Sequence, residues 1–342
     1  MRKDLDTFPV TVLTGFLGSG KTTILNQLIR DPAFTRTLVL INEFGDVGLD
    51  HDLVTQGSED AQYVEMASGC LCCSIRGDLV RTLAQAPSRF AREGQCWFDR
   101  VLIETTGLAD PAPILHTLMA EPSIMRRYEL AGVVTAVDAA NGEQTLDTHP
   151  ESVKQAAVAD LLLLTKTDLT NNTTPPTLAA MLTRLNPGAE QITTGPAAKI
   201  AERFNRLGLY DAATKAPNVE RWLQDEEHHH GHGTHHHHDV NRHGTDIRAF
   251  SITRSEPLAL VALENWLDIL RATLGEQLLR VKGILNVEGY EQPVIIHGVQ
   301  HVLHPIDVLD EWPTTDHRTR VVFITKGIEK SSIEGMLSAF QK

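Results

Sequence analysis

Eight consecutive residues, Gly15-Phe16-Leu17-Gly18-Ser19-Gly20-Lys21-Thr22, match the pattern G-x-x-x-x-G-K-[ST] at each of its fixed positions. An aliphatic run, Val10 to Leu13, precedes them, and Ile24, Leu25, Leu28 and Ile29 follow at helical spacing. The motif therefore lies between a predicted strand and a predicted helix, the context a phosphate-binding loop requires. Gly15, Gly18 and Gly20 let the backbone wrap closely enough for N–H groups to point inward, and the helix N-terminus adds partial positive charge. Ser19 contributes a further loop N–H. In such a loop Lys21 reaches the β- and γ-phosphates, Thr22 ligates Mg²⁺ and Thr23 reaches the α-phosphate.

Two later segments supply what a nucleoside triphosphatase needs beside that loop. Asp99-Arg100-Val101-Leu102-Ile103-Glu104-Thr105-Thr106-Gly107 is an apolar strand ending in an acid and a glycine. Glu104 is expected to organise Mg²⁺ or its waters, and the Gly107 N–H to sense the γ-phosphate. Thr165-Lys166-Thr167-Asp168 ends another apolar strand. A carboxylate at Asp168 accepts two hydrogen bonds from the N1–H and N2–H₂ edge of guanine. Adenine offers no such pair, at a cost of roughly 1.5 to 3 kcal/mol per lost charged bond, so GTP is the expected nucleotide and Lys166 and Asp168 belong to its site.

A second chemistry is carried by sulfur and imidazole. Cys70, Cys72 and Cys73 fall within four residues and cannot bridge one another without strain, while Cys96 stands alone beside Trp97 and Phe98 and reads as a core thiol. Ser74 is a predicted N-cap for the amphipathic segment from Ile75 to Leu83, so thiolates there feel the helix dipole, with Arg76 nearby. Closely spaced sulfurs suit Zn²⁺ or Cu(I), with a fourth ligand from elsewhere, His51 or His116 if the fold brings one close. His228, His229, His230, His232, His235, His236, His237 and His238 lie among Asp225, Glu226, Glu227 and Asp239. That tract offers ligands to Zn²⁺, Ni²⁺, Co²⁺ or Cu²⁺ without choosing among them. His297, His301 and His304 read as surface or hydrogen-bonded histidines.

The elements that must position these groups follow from the apolar runs. Val10 to Leu13, Leu38 to Ile41, Val101 to Ile103, Val133 to Val137 and Leu161 to Leu164 are continuous enough to be strands covered on both faces. Helical patterns alternate with them, Leu79, Val80 and Leu83 among them, which predicts an α/β fold with a mostly parallel sheet and ligands at the carboxyl ends of its strands. Residues 225 to 239 contain no hydrophobic side chain and read as a linker. From Asp246 the order becomes strand (Ile247 to Thr253), helix (Pro257 to Thr273), two strands (Leu278 to Val287 and Pro293 to Val299), strand (Arg320 to Thr325) and helix (Ser332 to Phe340), a smaller α+β module. The expected division is a P-loop domain over 1–210, a histidine-rich linker over 211–245 and an α+β domain over 246–342.

The whole chain has 342 residues, 31 basic against 44 acidic side chains, a formal charge of −13 and 16 histidines. At roughly 150 residues per domain this length favours two domains. The acidity argues against general binding to nucleic acid, whose phosphates demand a basic surface. The start, Met1-Arg2-Lys3-Asp4-Leu5-Asp6, lacks an apolar signal region, and no run approaches the ~18 apolar residues of a membrane span. A soluble, cytoplasmic protein with no membrane partner is expected.

These residues together resemble the CobW family of metal-linked GTPases, in its YjiA-like branch and within the class that includes HypB and UreG. The likeness is carried by residues 14–23, by Asn42-Glu43-Phe44-Gly45-Asp46-Val47-Gly48, by Gly69-Cys70-Leu71-Cys72-Cys73 and by Glu104-Thr105-Thr106-Gly107-Leu108-Ala109-Asp110-Pro111. In the second module, Leu279-Arg280-Val281-Lys282-Gly283 and Gly298-Val299-Gln300 resemble the family's C-terminal domain. The resemblance implies that Glu43 belongs to a switch-like loop and that Cys70, Cys72 and Cys73 hold the family's metal. It implies GTP hydrolysis linked to delivery of a metal, usually Zn²⁺, to a client metalloprotein, with Co²⁺ or Ni²⁺ insertion and a non-catalytic nucleotide-gated metal store as alternatives. A nucleotide- or metal-dependent homodimer is a further expectation. Thr165 stands where many relatives carry asparagine, so loss of an amide brace on the loop or base is expected there. No residue is a persuasive general base, which predicts slow intrinsic hydrolysis.

Overall fold

Strand β1, Phe8–Gly15, runs through the centre of a parallel sheet and delivers the glycine-rich loop at its carboxyl end. The structure is a computed structural model that describes residues 7–41, 62–65, 73–194, 197–207 and 247–340. It divides into two compact units, the second of which includes the described residues 247–340. The further strands of the first unit are β2 (Thr37–Ile41), β3 (Gln62–Glu65), β4 (Arg100–Glu104), β5 (Tyr128–Asp138), β6 (Leu161–Thr165) and β7 (Glu190–Thr193). They order as β3-β2-β4-β1-β5-β6-β7, with every neighbouring pair parallel. All five predicted strands are present.

The chain steps away from β1 to β2 and β3, returns to β4, then crosses to β5 on the other side of β1. That reversal makes the carboxyl edge of β1 the switch point where a ligand fits. Register places the chemistry there: Leu13 pairs with Glu104, Thr14 with Thr135, and Asp138 with Thr165. The central strands are aliphatic because both faces are covered by helices, as in Leu38 to Leu40 and Leu161 to Leu164, all buried.

Helix α1, Lys21–Ile29, buries Ile24, Leu25, Leu28 and Ile29 against Leu13, Val39, Leu102, Val134 and Leu163. Leu25 is fully buried, so truncating it to alanine costs about 2–5 kcal/mol. Helices α2 (Cys73–Arg89), α3 (Ala112–Ala120), α4 (Gly142–Thr148), α5 (Pro150–Ala157), α6 (Pro176–Leu185) and α7 (Ala197–Asn205) complete the alternation. Ser74 lies within the first turn of α2, because the helix begins at Cys73; it is not the N-cap expected from the sequence. Arg76 directs its guanidinium to Glu121, 3.5 Å away.

The second unit is an antiparallel sheet of β8 (Ile247–Arg254), β9 (Leu278–Leu285), β10 (Val294–Val299), β11 (Val302–Leu303), β12 (Asp307–Val308) and β13 (Thr319–Lys326). Its order is β8-β13-β9-β10-β11, with β12 paired to β10. Helices α8 (Leu260–Leu274) and α9 (Lys330–Ala339) pack Leu263, Trp266, Leu270, Ile333 and Leu337 with Val281, Ile296 and Phe323 of the sheet. Pro257 does not open α8. Leu258 instead takes part in extended pairing, its N–H donating to Asn286 O and its carbonyl accepting from Glu288 N, so the helix begins at Leu260. Among the described residues no helix is long and apolar enough to cross a membrane.

Candidate functional site

The glycine-rich loop is shaped by contacts only glycine permits at its entry. Gly15 has φ +143°, and a Cβ there would stand 2.4 Å from Ala136 O and 2.7 Å from Ser19 Oγ. Gly18 and Gly20 also have positive φ, and the Ser19 N–H closes a turn onto Phe16 O at 3.1 Å. Gly20 caps α1 without a side-chain hydrogen bond, leaving the first-turn N–H groups of the helix to face an anion. Lys21 is 8% exposed and donates to Gly15 O at 2.9 Å and Phe16 O at 3.1 Å. Thr23 is exposed on the same turn.

The carboxyl end of β4 meets this loop. Thr22 Oγ1 donates to Glu104 Oε1 at 3.3 Å, and Glu104 is 7% exposed. A hydroxyl beside a carboxylate is an all-oxygen donor set, which fits a hard cation such as Mg²⁺. Thr105 Oγ1 donates to Thr14 Oγ1 at 2.7 Å, tying the next residue of this strand to β1. Gly107 packs directly on the loop: a Cβ there would lie 2.6 Å from Leu17 N and 2.7 Å from Leu17 Cα.

At the end of β6, Thr165 reverses the expectation of a lost brace. Its hydroxyl lies 2.7 Å from Ser19 O and 3.2 Å from Val137 O, so it donates to the loop carbonyl directly. Lys166 adopts a left-handed backbone at φ 54° and donates to Asp138 Oδ2 at 2.8 Å. Burial works against ionisation of Asp138. Hydrogen bonds from the Asn141 side chain, from Lys166 and from the Ala140 and Asn141 N–H groups outweigh it and hold the carboxyl below its ordinary value. Asp168 is exposed in the short 3₁₀ turn Thr167–Thr170.

Sequence reasoning passed over Asp138, although it ends an apolar strand just as Glu104 does. It also passed over Gln155 and Lys154 on α5. Gln155 Nε2 donates to Gly107 O at 3.1 Å and Ala109 O at 3.0 Å, and Lys154 Nζ pairs with Asp110 Oδ2 at 2.7 Å. A cavity of about 280 Å³, lined by Phe16, Leu17, Asp138, Ser152, Gln155 and Lys166 among others, borders the loop.

The metal-binding expectations fall mostly elsewhere. Glu43, His51, Cys70, Cys72 and the tract His228 to His238 lie outside the described residues, and of Cys73 only the backbone, at the start of α2, is described. His116 sits half-buried on α3. His297 is buried on β10 opposite Lys282 of β9, while His301 is exposed. Among the described residues no group of three His, Cys, Asp or Glu side chains could hold a metal ion. Cys96 is not a core thiol: it is half-buried in the small hairpin of 91–92 and 95–96, its Sγ 3.5 Å from Phe98 O, and burial pushes the thiol up. The side chain that fills the core there is Phe98.

Comparison with known proteins agrees with this architecture. The family described as CobW/HypB/UreG, nucleotide-binding domain, matches residues 9–193, and the cobalamin synthesis protein cobW C-terminal domain matches 247–341. The chain is 28% identical over 336 residues to the zinc chaperone YjiA of Escherichia coli (strain K12), spanning 97% of this chain and 98% of that one. It is 34% identical over 195 residues to zinc-regulated GTPase metalloprotein activator 1 of Schizosaccharomyces pombe, covering 56% of this chain and 46% of that one. The crystal structure of Zn(II)-bound YjiA GTPase from E. coli shares the fold, with a TM-score of 0.66 at 23% identity over 99% of this chain and 100% of that one. The first match spans more than half of the chain and runs from β1, through the loop that Thr165 braces and Glu104 faces, to the last strand of the parallel sheet, and so the chain belongs to the CobW/HypB/UreG family of P-loop GTPases.

Proposed function

We propose that the protein is a GTP-hydrolysing metallochaperone that takes Zn²⁺ at Cys70, Cys72 and Cys73 and passes it to a client protein as the nucleotide changes state. The observation that carries the reading is the approach of the Thr22 hydroxyl to the Glu104 carboxylate at 3.3 Å, at the mouth of a loop whose lysine is buried. The names of the relatives, a zinc chaperone and a zinc-regulated GTPase metalloprotein activator, support zinc as the cargo. Soft, closely spaced thiolates suit that ion.

In this reading the loop N–H groups and Lys21 cradle the β- and γ-phosphates, Lys21 exchanging its contacts with Gly15 O and Phe16 O for phosphate oxygens. Thr22 and Glu104 hold Mg²⁺, which when bound neutralises charge on the phosphates. Asp168 reads guanine, and Lys166, fixed by Asp138, forms the floor beside it. Gly107 contacts the γ-phosphate from the loop after β4, and Glu43 belongs to a switch-like loop after β2 that GTP and Mg²⁺ order. The three cysteines lie in the sequence between those two loops, so a change in either alters the geometry of the thiolate set. The functional division is a GTPase domain over 1–210, a histidine-rich linker over 211–245 that captures metal, and a C-terminal domain over 246–342.

The experiment is zinc affinity measured with a non-hydrolysable GTP analogue and with GDP, alongside phosphate release. A tenfold or larger difference is expected; identical affinities would remove the coupling. The eight imidazoles among carboxylates in the linker favour a second reading, cobalt or nickel as cargo. Metal competition at controlled free concentrations separates the two.

A further inference from the structure

We propose that Gln155 is a positioning residue of the GTPase reaction, which with Lys154 clamps the loop from Gly107 to Asp110 against the phosphate-binding loop. The inference rests on the reading of Gly107 as the γ-phosphate contact.

Gln155 is fully buried, and its Nε2 spends both hydrogens on main-chain carbonyls of one short segment, Gly107 O at 3.1 Å and Ala109 O at 3.0 Å. Two carbonyl oxygens can be met only by the NH₂ end of the amide, so its orientation is fixed by chemistry. The consequence is that Oε1 is left buried without a hydrogen-bond partner. An apolar side chain of similar size would avoid that cost, so what distinguishes glutamine here is the pair of donors it presents to the loop.

Those donors fix peptide planes. In a trans peptide the C=O and the following N–H point in opposite directions, so holding the carbonyls of Gly107 and Ala109 toward α5 turns the N–H groups of Leu108 and Asp110 away from it. On the other side Gly107 touches the Leu17 backbone so closely that a Cβ would not fit. The segment is thus gripped between the phosphate-binding loop and α5. Lys154 strengthens the grip at the far end through Asp110 Oδ2, while Asp110 Oδ1 accepts from Ala112 N at 3.0 Å and fixes the start of α3.

The helix is in turn tied to the sheet. Thr135 Oγ1 donates to the Gln155 main-chain carbonyl at 2.7 Å, and Thr135 lies in register with Thr14 on β1, the residue before the loop begins. A closed circuit runs from β1 to Thr135, to Gln155, to Gly107 and back to Leu17. Both bonds are made out of contact with water, because Gln155 is fully buried, so neither carbonyl has solvent as an alternative partner on that side. Movement of Gly107 toward a γ-phosphate is therefore felt by α5 through two specific bonds.

The test compares the wild-type chain with Gln155→Met and Gly107→Ala, measuring the affinity ratio of a non-hydrolysable GTP analogue to GDP, together with kcat and KM for GTP. Gln155→Met is expected to keep GDP affinity within twofold, to lower the analogue-to-GDP ratio about tenfold and to reduce kcat more than it changes KM. A purely structural glutamine would lower Tm and leave the ratio and kcat alone; that result overturns the proposal. If Gly107→Ala loses the ratio and Gln155→Met keeps it, the clamp is wrong and the reading of Gly107 stands. If both keep it, the reading of Gly107 fails and takes the clamp with it. Should Gln155→Met not fold, Lys154→Met, at a partly exposed position, is expected to lower the ratio about threefold, and an unchanged ratio there overturns the clamp.

Discussion

Replacing Thr165 with valine removes one hydroxyl and keeps the shape of the side chain, so its effect isolates the brace on the phosphate-binding loop. The hydroxyl lies 2.7 Å from Ser19 O, and Thr165 is 4% exposed, so water cannot take its place. A neutral hydrogen bond contributes about 1 kcal/mol net, and a carbonyl left buried without a donor adds about 1–3 kcal/mol to the loss. Taking about 2 kcal/mol as the total, Tm falls by roughly 4–8 °C for a unit of about 200 residues. The loop wraps phosphates common to GTP and GDP, so both dissociation constants are expected to rise by about tenfold, which is roughly 1.4 kcal/mol of that total. Isothermal titration with both nucleotides and a melting curve read the two effects, with Thr165→Ser as the variant that keeps the hydroxyl and stays near wild type. Nucleotide affinities within twofold of wild type in Thr165→Val would refute the brace, whatever happens to Tm. A loss confined to GTP would refute it as well, since Ser19 does not distinguish the γ-phosphate.

Gly107→Ala places a Cβ 2.6 Å from Leu17 N, an overpacking worth about 1–3 kcal/mol, and phosphate release is expected to fall more than tenfold; near-normal release would show that the loop has slack. Asp168→Asn removes the charged acceptor and is expected to weaken GTP by about tenfold or more while leaving ATP unchanged, in a competition assay with both nucleotides. Asp316 is held at about 2, chiefly by the Arg318 side chain and against some burial, compared with an ordinary 3.8. The folded value is the lower one, so its contribution is complete above about pH 4 and is lost as pH falls toward 2. Asp316→Asn is expected to flatten the acid limb of the second unit's stability, and an unchanged limb would remove Asp316 from that role.

The parts of this site that were legible in the sequence are those whose chemistry is local. Gly15 to Thr22 declare themselves because glycines, a lysine and a hydroxyl at fixed spacing between an apolar run and a helical pattern have few other uses. The aliphatic strands were legible because they are covered on both faces, which makes them continuous. Strands β3 and β7 were not, since Gln-Tyr-Val-Glu and Glu-Gln-Ile-Thr are four-residue edge strands with too little apolar pattern to stand out. Asp138 carried a readable signal, an acid ending an apolar strand, and its partner 28 residues away gave it meaning. Gln155 carried none. It lies in Ser152-Val153-Lys154-Gln155-Ala156-Ala157, a helix turn of ordinary composition, and its partners lie 46 and 48 residues earlier. At Thr165 residue type alone is a poor guide to function: the asparagine amide and the threonine hydroxyl are different groups, yet either can donate to a loop carbonyl when the strand end holds it close enough.

A division of labour among the buried polar groups follows. Among the described residues of the first unit, the charged side chains that are buried are Lys21 and Glu104, whereas Thr14, Ser19, Thr105, Thr135, Gln155 and Thr165 are buried and neutral. Burying a charge is costly unless it is paired, while a hydroxyl or amide needs only one or two hydrogen bonds. Neutral groups therefore suit the back of the loop, where they set its shape in every nucleotide state. The two charges stand where the proposed reading brings phosphate and its cation, and Lys21 is held by the Gly15 and Phe16 carbonyls. In the proposed reading Thr165 acts on what GTP and GDP share, and Gln155 acts on a loop that distinguishes them. On that reading binding is set from the end of β6 and switching from helix α5, so substitutions at Thr165 and Gln155 should combine additively in nucleotide affinity. Strong coupling between them in a double-mutant cycle would show that the brace and the clamp are a single device.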